Sequence, residues 1–156
     1  MEIKIRTAQP EDAEKISEFI QELWRDVLSE SYNDEVVKLF LNFNTQERIR
    51  KSIEHPQRIC WVAEVDGVIA GFLEARIIEG EIERDRLMVK KEMRRKGIGT
   101  ALVEELKKMG APMIVDAADH PATIEFYKKA GFKVVEKAIR TINGVDVKVV
   151  VMKYAP

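Results

Sequence analysis

The chain has 156 residues, enough for one domain with a sizeable core and too few for two ordinary ones, so residues 1–156 are expected to form a single domain. Its 26 basic and 27 acidic residues balance, which argues against a general nucleic-acid binder. Cys60 is the only cysteine, so no internal disulfide forms, and with two distant histidines it offers no metal-ligand set. No apolar signal core opens the chain and no apolar run could span a bilayer, so we expect a cytoplasmic protein without a membrane partner.

The first half of the chain predicts a strand, two helical stretches and a β-hairpin, in that order. Residues 3–5 alternate between apolar and basic, as in a half-buried strand. Apolar residues at helical spacing follow over 10–27 and again over about 34–53, where two asparagines near the middle weaken helix propensity. Two β-rich runs come next, 58–65 and 68–78, and the Asp-Gly dipeptide between them is a strong hairpin signal.

The second half adds two more helices and four strands. In order they are the strand Ile82–Val89, the helix Ala101–Met109, the short buried strand Met113–Val115, the helix Pro121–Gly131, and a last hairpin of Lys133–Thr141 and Val145–Tyr154. An Asn-Gly turn joins the two strands of that hairpin. The chain therefore predicts seven strands and about four helices.

A basic, glycine-containing loop joins the strand that ends at Val89 to the next helix. It reads Arg94-Arg95-Lys96-Gly97-Ile98-Gly99-Thr100. Because a helix begins at the glycines, its first amide N–H groups lack intrahelical partners, and the helix dipole adds partial positive charge. Gly97 and Gly99 have no Cβ, so a phosphate can approach these amides closely. The loop is therefore predicted to hold a pyrophosphate group.

Two other phosphate-binding loops are excluded. The P-loop requires Gly-x-x-x-x-Gly-Lys-Ser/Thr, which does not occur, and the dinucleotide fingerprint requires a third glycine where Leu102 stands. The pattern that remains, Arg94-x-x-Gly97-x-Gly99, resembles the signature with which the GNAT superfamily of N-acetyltransferases binds acetyl-coenzyme A. An ordinary basic loop before an amphipathic helix is the alternative interpretation of this pattern alone.

A second motif lies downstream, between Asp119 and Phe132. It ends in Phe126-Tyr127-Lys128-Lys129-Ala130-Gly131-Phe132, which resembles the second GNAT motif, a short helix ending in Phe-Tyr-x-Lys-x-Gly-Phe. The two motifs occur in the expected order, and element order extends the resemblance over the whole chain. It implies a single-domain, mixed α/β fold with a central, mostly antiparallel sheet of about seven strands and about four helices. In that fold the strands 82–89 and 113–116 are parallel neighbours that splay apart at one end.

The resemblance implies acetyl-coenzyme A as the acetyl donor. Unpaired backbone at the splayed strand end would bind the pantetheine arm as an added strand along Leu87, Met88 and Val89. An N–H near Met88 or Val89 would donate to the thioester carbonyl. Two further residues are candidate cofactor contacts. His120 stands where the family usually has asparagine, and its alternatives are to touch the pantetheine, to cap the following helix or to serve as a base. Lys129 either approaches the 3′-phosphate or is solvated.

Tyr127 is the predicted general acid, because the leaving thiolate needs a proton and a phenol near the sulfur can supply it. The alternative is a buried tyrosine whose hydroxyl bonds to a carbonyl. For the base that takes the proton of the attacking amine, the resemblance favours Glu83, since related enzymes often carry a glutamate on this strand. Asp85 and Glu74 are further choices, and cross-strand ion pairing is the alternative role for all three acids.

The sequence therefore predicts an N-acetyltransferase that moves an acetyl group from acetyl-coenzyme A to a primary amine by direct attack in a ternary complex. The acceptor is either a small-molecule amine or an amine of a protein or peptide. Its binding wall is expected from the first two helices and their connection, with Trp24, Tyr32 and Phe43. A non-catalytic coenzyme A-binding or regulatory module is the alternative function, and a homodimer is left open.

Overall fold

The structure is a computed structural model that describes all residues from 1 to 156. Its seven strands are β1 (Lys4–Thr7), β2 (Arg58–Val65), β3 (Val68–Ile78), β4 (Glu81–Val89), β5 (Met113–Ala118), β6 (Lys133–Ile142) and β7 (Val145–Tyr154). Its five α-helices are α1 (Ala13–Asp26), α2 (Asp34–Phe43), α3 (Gln46–Glu54), α4 (Ile98–Lys107) and α5 (Pro121–Lys129). None of these helices is both long and apolar enough to cross a membrane.

The helices number five, not about four, because the predicted stretch 34–53 forms two of them. Asn44 follows α2 outside the helical backbone region, and its side-chain amide donates to the Phe40 carbonyl at 2.8 Å. Thr45 then starts α3, its side-chain oxygen accepting from the Arg48 amide at 3.3 Å. The chain thus breaks where the asparagines weaken helix propensity, and the break separates the stretch into two capped helices.

All seven strands form one sheet in the order β1-β2-β3-β4-β5-β7-β6. Neighbouring strands are antiparallel except β4 and β5, which confirms the mixed, mostly antiparallel sheet with a central parallel pair. Helices α1–α3 cover one face and α4 and α5 the other, so the sheet separates two apolar cores. Phe72 and Leu73 are adjacent on β3, fully buried, and belong to opposite cores. Burial on both faces explains why residues 68–73 of this central strand are all apolar or glycine.

A β-bulge at Asp85 changes the direction of the side chains along β4. The residues on either side of it, Arg84 and Arg86, pair with adjacent residues of β3, so Asp85 has no partner there. A regular strand would place Arg84 and Arg86 on the same face. Here Arg84 lies against Tyr127 on the α4–α5 side, whereas Arg86 bonds to Asn44 on the α1–α3 side. The bulge therefore sends one arginine to each side of the sheet.

Asp12 fastens the start of α1 to β1, and its loss is expected to destabilise the fold. Arg6 donates to both Asp12 carboxylate oxygens, at 2.8 and 3.0 Å, and the Gln9 amide donates to one of them at 2.7 Å. These hydrogen bonds, chiefly those from Arg6, lower the pKa of Asp12. We expect Asp12→Asn to reduce the free energy of unfolding by about 1–2 kcal/mol at pH 7.

The pH dependence of this loss follows from the direction of the shift. A carboxyl whose pKa is lowered by folding stabilises the native state above its unfolded pKa, near pH 4, and loses that contribution as the pH falls through the folded pKa. The difference between wild type and Asp12→Asn should therefore be full at pH 7 and shrink below about pH 4. Urea unfolding of the wild type and of Asp12→Asn at pH 7, 5 and 3 measures this difference in the free energy of unfolding. A difference that is constant across this range would contradict the assignment.

Candidate active site

The backbone at the start of α4 is open for ligand binding. Gly97 precedes the helix with a φ of +82°, and no side chain caps the helix. No amide N–H of residues 94–100 donates a hydrogen bond to another protein group, and the first that does is Ala101, to the Gly97 carbonyl at 2.9 Å. The basic side chains of 94–96 are exposed beside them. Seven consecutive free N–H groups next to three cations suit the diphosphate of coenzyme A.

The two glycines of this loop have different physical roles. A Cβ at Gly97 would meet no protein atom within 4 Å, so the space beside it has the room expected for a phosphate, and the positive φ favours glycine. A Cβ at Gly99 would lie 3.3 Å from the Phe126 ring of α5 and 3.7 Å from Val89. Glycine at position 99 thus allows the two sequence motifs to pack against each other, a reason that the sequence alone did not show.

The parallel strands β4 and β5 separate next to this loop. On β4 they pair only over residues 82–84, and from Arg86 to Val89 β4 pairs with β3 alone. Leu87 packs toward the α4–α5 core and Met88 toward the other, so the side chains pack while one backbone edge stays open. An open strand edge can bind an amide chain as an added strand. The pantetheine arm of coenzyme A is such a chain, so this edge and the loop together fit the cofactor.

Tyr127 lies on α5 with an enclosed ring and a free hydroxyl. The residue is 3% exposed, and its ring contacts Phe126 and Phe132 edge-on at centroid distances of 5.0 and 5.2 Å. No protein group hydrogen-bonds to its hydroxyl, so the alternative of a tyrosine held by a carbonyl does not describe this residue. The guanidinium of Arg84 lies 5.6 Å from the ring centroid. Tyr127 thus has a fixed ring, a neighbouring cation and an unused donor.

Glu74 is enclosed in the sheet between two arginines. Its side chain is 1% exposed, one carboxylate oxygen contacts Arg86, and the other lies 2.6 Å from Arg58. Arg86 also donates to the Asn44 side chain at 2.9 Å and contacts the Phe43 carbonyl, which ties β4 to the connection between α2 and α3. Cross-strand ion pairing, the alternative role for these acids, therefore describes Glu74.

Glu83 and Asp85 both contact Arg76, at 3.4 and 3.5 Å, so their carboxylates lie close together. Asp85 also accepts from Arg58 at 2.8 Å. The side chain of Glu83 is 40% exposed and that of Asp85 23% exposed, so Glu83 is the more accessible of the two. Burial raises the pKa of Asp85, although the positive charge of Arg76 opposes the shift. Asp85 is therefore a carboxylate whose pKa is raised, and Glu83 is the more accessible of the two.

His120 and Lys129 lie at the two ends of α5. His120 caps the helix, its Nδ1 accepting from the Ala122 amide at 3.3 Å. This is the capping role that the sequence left as one of three alternatives. Lys129 is exposed in the last turn and has no salt-bridge partner. Its ammonium is therefore free for a phosphate or for solvent.

Three aromatic residues were expected in the acceptor wall. Trp24 packs on Tyr32 at a centroid distance of 5.4 Å and stacks on Phe40 at 4.6 Å, and Phe43 lies 6.3 Å from Phe40. All these residues lie on α1, on α2 or between them. The sequence named Trp24, Tyr32 and Phe43 and missed Phe40, whose helical spacing placed it only in the core.

The sequence reasoning also missed Arg84. Its Nη2 donates to the Asp116 carbonyl at 3.0 Å, across the point where β4 and β5 separate. Burial raises the pKa of the Tyr32 phenol, and the positive charge of Arg84 and the negative charge of Asp119 act on it in opposite directions. Tyr32 therefore belongs to the surroundings of Arg84. The available sequence signal was an arginine within a strand that was expected to be central in the sheet.

Comparison with known proteins agrees with this geometry. Residues 56–134 match the family model described as "Acetyltransferase (GNAT) domain". A spermidine N(1)-acetyltransferase of Thermoplasma acidophilum is 30% identical over 145 residues, which cover 86% of this chain and 90% of that protein.

Solved structures share the fold over the whole chain. The PaiA N-acetyltransferase of Thermoplasma acidophilum in complex with coenzyme A has a TM-score of 0.81 at 27% identity, and the match covers all of both chains. A GCN5-related N-acetyltransferase of Rhodopseudomonas palustris has a TM-score of 0.84 at 22% identity, with 100% of this chain and 97% of that chain covered. The chain therefore belongs to the GNAT family and is an acetyl-coenzyme A-dependent N-acetyltransferase.

Proposed function

We propose that this enzyme acetylates a primary amine by direct attack of that amine on acetyl-coenzyme A in a ternary complex. The observation that carries the proposal is the run of free amides at residues 94–100 beside the open edge of β4. Bound acetyl-coenzyme A supplies an activated acetyl thioester. Cys60 is not suited to carry the acetyl group, because burial raises the pKa of its thiol to about 12 and keeps it protonated at neutral pH.

The chain binds the cofactor mainly through its backbone in this proposal. The amides of residues 94–100 donate to the diphosphate, and the basic side chains in that segment balance its charge. The backbone of residues 87–89 pairs with the pantetheine arm. An N–H near the end of this segment donates to the thioester carbonyl, where negative charge develops during attack. His120 and Lys129 are further candidate contacts.

Tyr127 is the proposed general acid that gives its phenolic proton to the leaving sulfur. Support comes from its free hydroxyl, its ring held by Phe126 and Phe132, and its place in the helix packed against the loop through Gly99. A held ring keeps the donor at a defined position, which general acid catalysis requires.

Glu83 is the proposed base for the ammonium proton of the acceptor, directly or through water, and Asp85 is the competing choice. Glu83 is supported by its accessibility, and Asp85 by its raised pKa. Because both contact Arg76, removal of either acid changes the pairing of the other. The pH dependence of kcat/KM in Glu83→Gln and in Asp85→Asn separates them, since only loss of the base should remove the acidic limb.

The acceptor class is proposed to be a small amine, with a protein or peptide amine as the alternative. The relative named spermidine N(1)-acetyltransferase supports a small amine. The two acceptor classes are distinguished by comparing kcat/KM for free amines with that for peptides.

A homodimer stays a prediction. The sheet ends at β6, which has no strand beyond it, and Val135 and Ile139 on that strand are 54% and 61% exposed. Exposed apolar residues on a free strand edge favour association of a second chain there. Sedimentation velocity at several protein concentrations measures the oligomeric state.

The function is tested by incubating the protein with acetyl-coenzyme A and a panel of primary amines. Release of coenzyme A together with a mass increase of one acetyl group on the amine supports the proposal. Tight coenzyme A binding by calorimetry, without acetyl transfer to any amine, would instead identify the non-catalytic coenzyme A-binding module.

Gly97→Val is expected to weaken coenzyme A binding by about 100-fold, which corresponds to the loss of one or two charge-assisted hydrogen bonds. A β-branched residue disfavours the φ of +82° at this position, so the amides leave their common orientation. Gly80→Val is the matched control, because Gly80 has a φ of +80°, no neighbour of its Cβ within 4 Å, and a place at the opposite end of β4. Calorimetry with coenzyme A measures both. Equal losses of affinity in the two variants would contradict the assignment of the loop.

A further inference from the structure

Arg84 lies at the closed end of the opening between β4 and β5. It is the last residue of β4 that pairs with β5, opposite Val115. Its Nη2 donates to the Asp116 carbonyl across the gap, and its guanidinium carbon is 5.6 Å from the Tyr127 ring centroid. The guanidinium is therefore beside the residue proposed to protonate the leaving sulfur.

The charge of Arg84 has no counter-ion in the protein. The three other arginines of β2–β4, namely Arg58, Arg76 and Arg86, each contact at least one carboxylate. Arg84 contacts none within 4 Å, and its Nε is buried without a hydrogen-bond partner. A guanidinium has five N–H donors, and that of Arg84 makes a single hydrogen bond, to a neutral carbonyl. A partly buried cation that has no counter-ion and has unused donors favours binding of an anion.

The neighbouring wall also has unused donors. Burial keeps the phenol of Tyr32 protonated, and Trp24, which packs on Tyr32, is 6% exposed with an indole N–H that has no partner. An indole N–H can only donate, and this one is buried, so it is an unpaired donor behind Tyr32.

The acids of the same region are largely paired. Glu74, Glu83 and Asp85 contact arginines, and Asp119 lies 3.9 Å from the Lys137 ammonium. The region therefore presents free hydrogen-bond donors and an unbalanced positive charge. A polyamine carries only further positive charges and donors, so it is a poor match for this region.

The geometry points to Arg84 as a carboxylate subsite of the acceptor cleft, so that the acceptor is a small amine that also carries a carboxylate, as amino acids do. A carboxylate can accept two parallel N–H bonds from a guanidinium and so orient the amine beside the acetyl group. This inference rests on the proposed function and narrows its acceptor class. It departs from the substrate in the name of the curated relative, because spermidine has no carboxylate.

The test compares acceptors that differ in one end group. Glycine, β-alanine and 4-aminobutyrate are each measured against the alkylamine and the diamine of equal length, and spermidine is added. For the wild type we expect kcat/KM to be about 10- to 100-fold higher for the best amino acid than for its matched alkylamine, as a charge-assisted hydrogen bond would give. Diamines should be poorer still. A wild-type preference for diamines or spermidine would overturn the inference.

Two variants assign the preference to Arg84. Arg84→Met should reduce the discrimination between amino acid and alkylamine to within about threefold, whereas Arg84→Lys should keep part of it. If Arg84→Met instead lowers kcat equally for all acceptors and shifts the alkaline limb of the pH profile, then Arg84 acts on Tyr127, and the subsite is wrong. Calorimetry with coenzyme A shows whether each variant is folded.

A direct binding measurement separates this inference from the proposed function. Binding of the amino acids and alkylamines to the protein saturated with coenzyme A is measured by calorimetry for wild type and Arg84→Met. Selective binding of an amino acid that depends on Arg84, without acetyl transfer, would support the subsite and refute the function. Acetyl transfer without any preference for amino acids would support the function and refute the subsite.

Discussion

Tyr127→Phe is expected to lower kcat by about 100- to 1,000-fold, the usual contribution of a general acid. Phenylalanine keeps the ring contacts with Phe126 and Phe132, so the variant should fold normally and bind coenzyme A with unchanged affinity. Only the proton donor to the leaving sulfur is lost. Steady-state kinetics with a responsive amine, together with calorimetry, separates the effect on kcat from that on binding.

Tyr154→Phe is the matched control for this change. The substitution removes a phenolic hydroxyl from the same cluster of aromatic residues, since Tyr154 packs on Phe132 at a centroid distance of 5.6 Å. Tyr154, however, lies at the end of β7 opposite Met113, away from the glycine loop. Its kcat should stay within about twofold of wild type. Retention of activity in Tyr127→Phe would show that the sulfur leaves as the thiolate or takes its proton from water.

Glu74→Gln is expected to reduce the free energy of unfolding by about 3–5 kcal/mol, because it leaves two arginines beside a buried neutral amide. Glu74 is fully buried and contacts both Arg58 and Arg86. The isosteric amide keeps the volume but removes the charge and turns an N–H₂ group toward one of these guanidinium groups. Urea unfolding at pH 7 measures the change.

Glu81→Gln provides the comparison on the neighbouring strand. Glu81 is 35% exposed and lies 3.8 Å from Lys153, so its loss should cost less than about 1 kcal/mol. Similar destabilisation by the two substitutions would mean that the pairs of Glu74 contribute no more than an ordinary surface pair.

The fold was predictable from the sequence because short residue patterns indicate most of its helices, strands and turns. The free amides of residues 94–100, which are proposed to bind the diphosphate, depend for their orientation on glycines and on a helix start, and both can be recognised in a short stretch of sequence. The Asp-Gly and Asn-Gly turns located two hairpins for the same reason. The separation of β4 and β5 was implied by family resemblance and not by these patterns.

The acidic residues of the site were harder to assign, because their environment depends on strand register. The bulge at Asp85 arises from the pairing of β4 with β3, and no residue of β4 alone signals it. Likewise, Arg84 lacks a salt bridge because the carboxylates of Glu74 on β3 and Asp116 on β5 pair with other arginines, which are far apart in the chain. Sequence reasoning could name these residues as charged but could not say which of them are paired.

The contact between Gly99 and Phe126 joins α4, which begins at the proposed phosphate loop, to α5, which carries the proposed general acid. A methyl group at position 99 would lie 3.3 Å from that ring, so the ring, or the helix that carries it and Tyr127, would have to shift by a few tenths of an ångström. Positions 99 and 126 should therefore vary together during evolution, a larger residue at one accompanied by a smaller residue at the other. In a double-mutant cycle, Phe126→Leu should rescue Gly99→Ala, which would reveal how turnover depends on the spacing between these two helices.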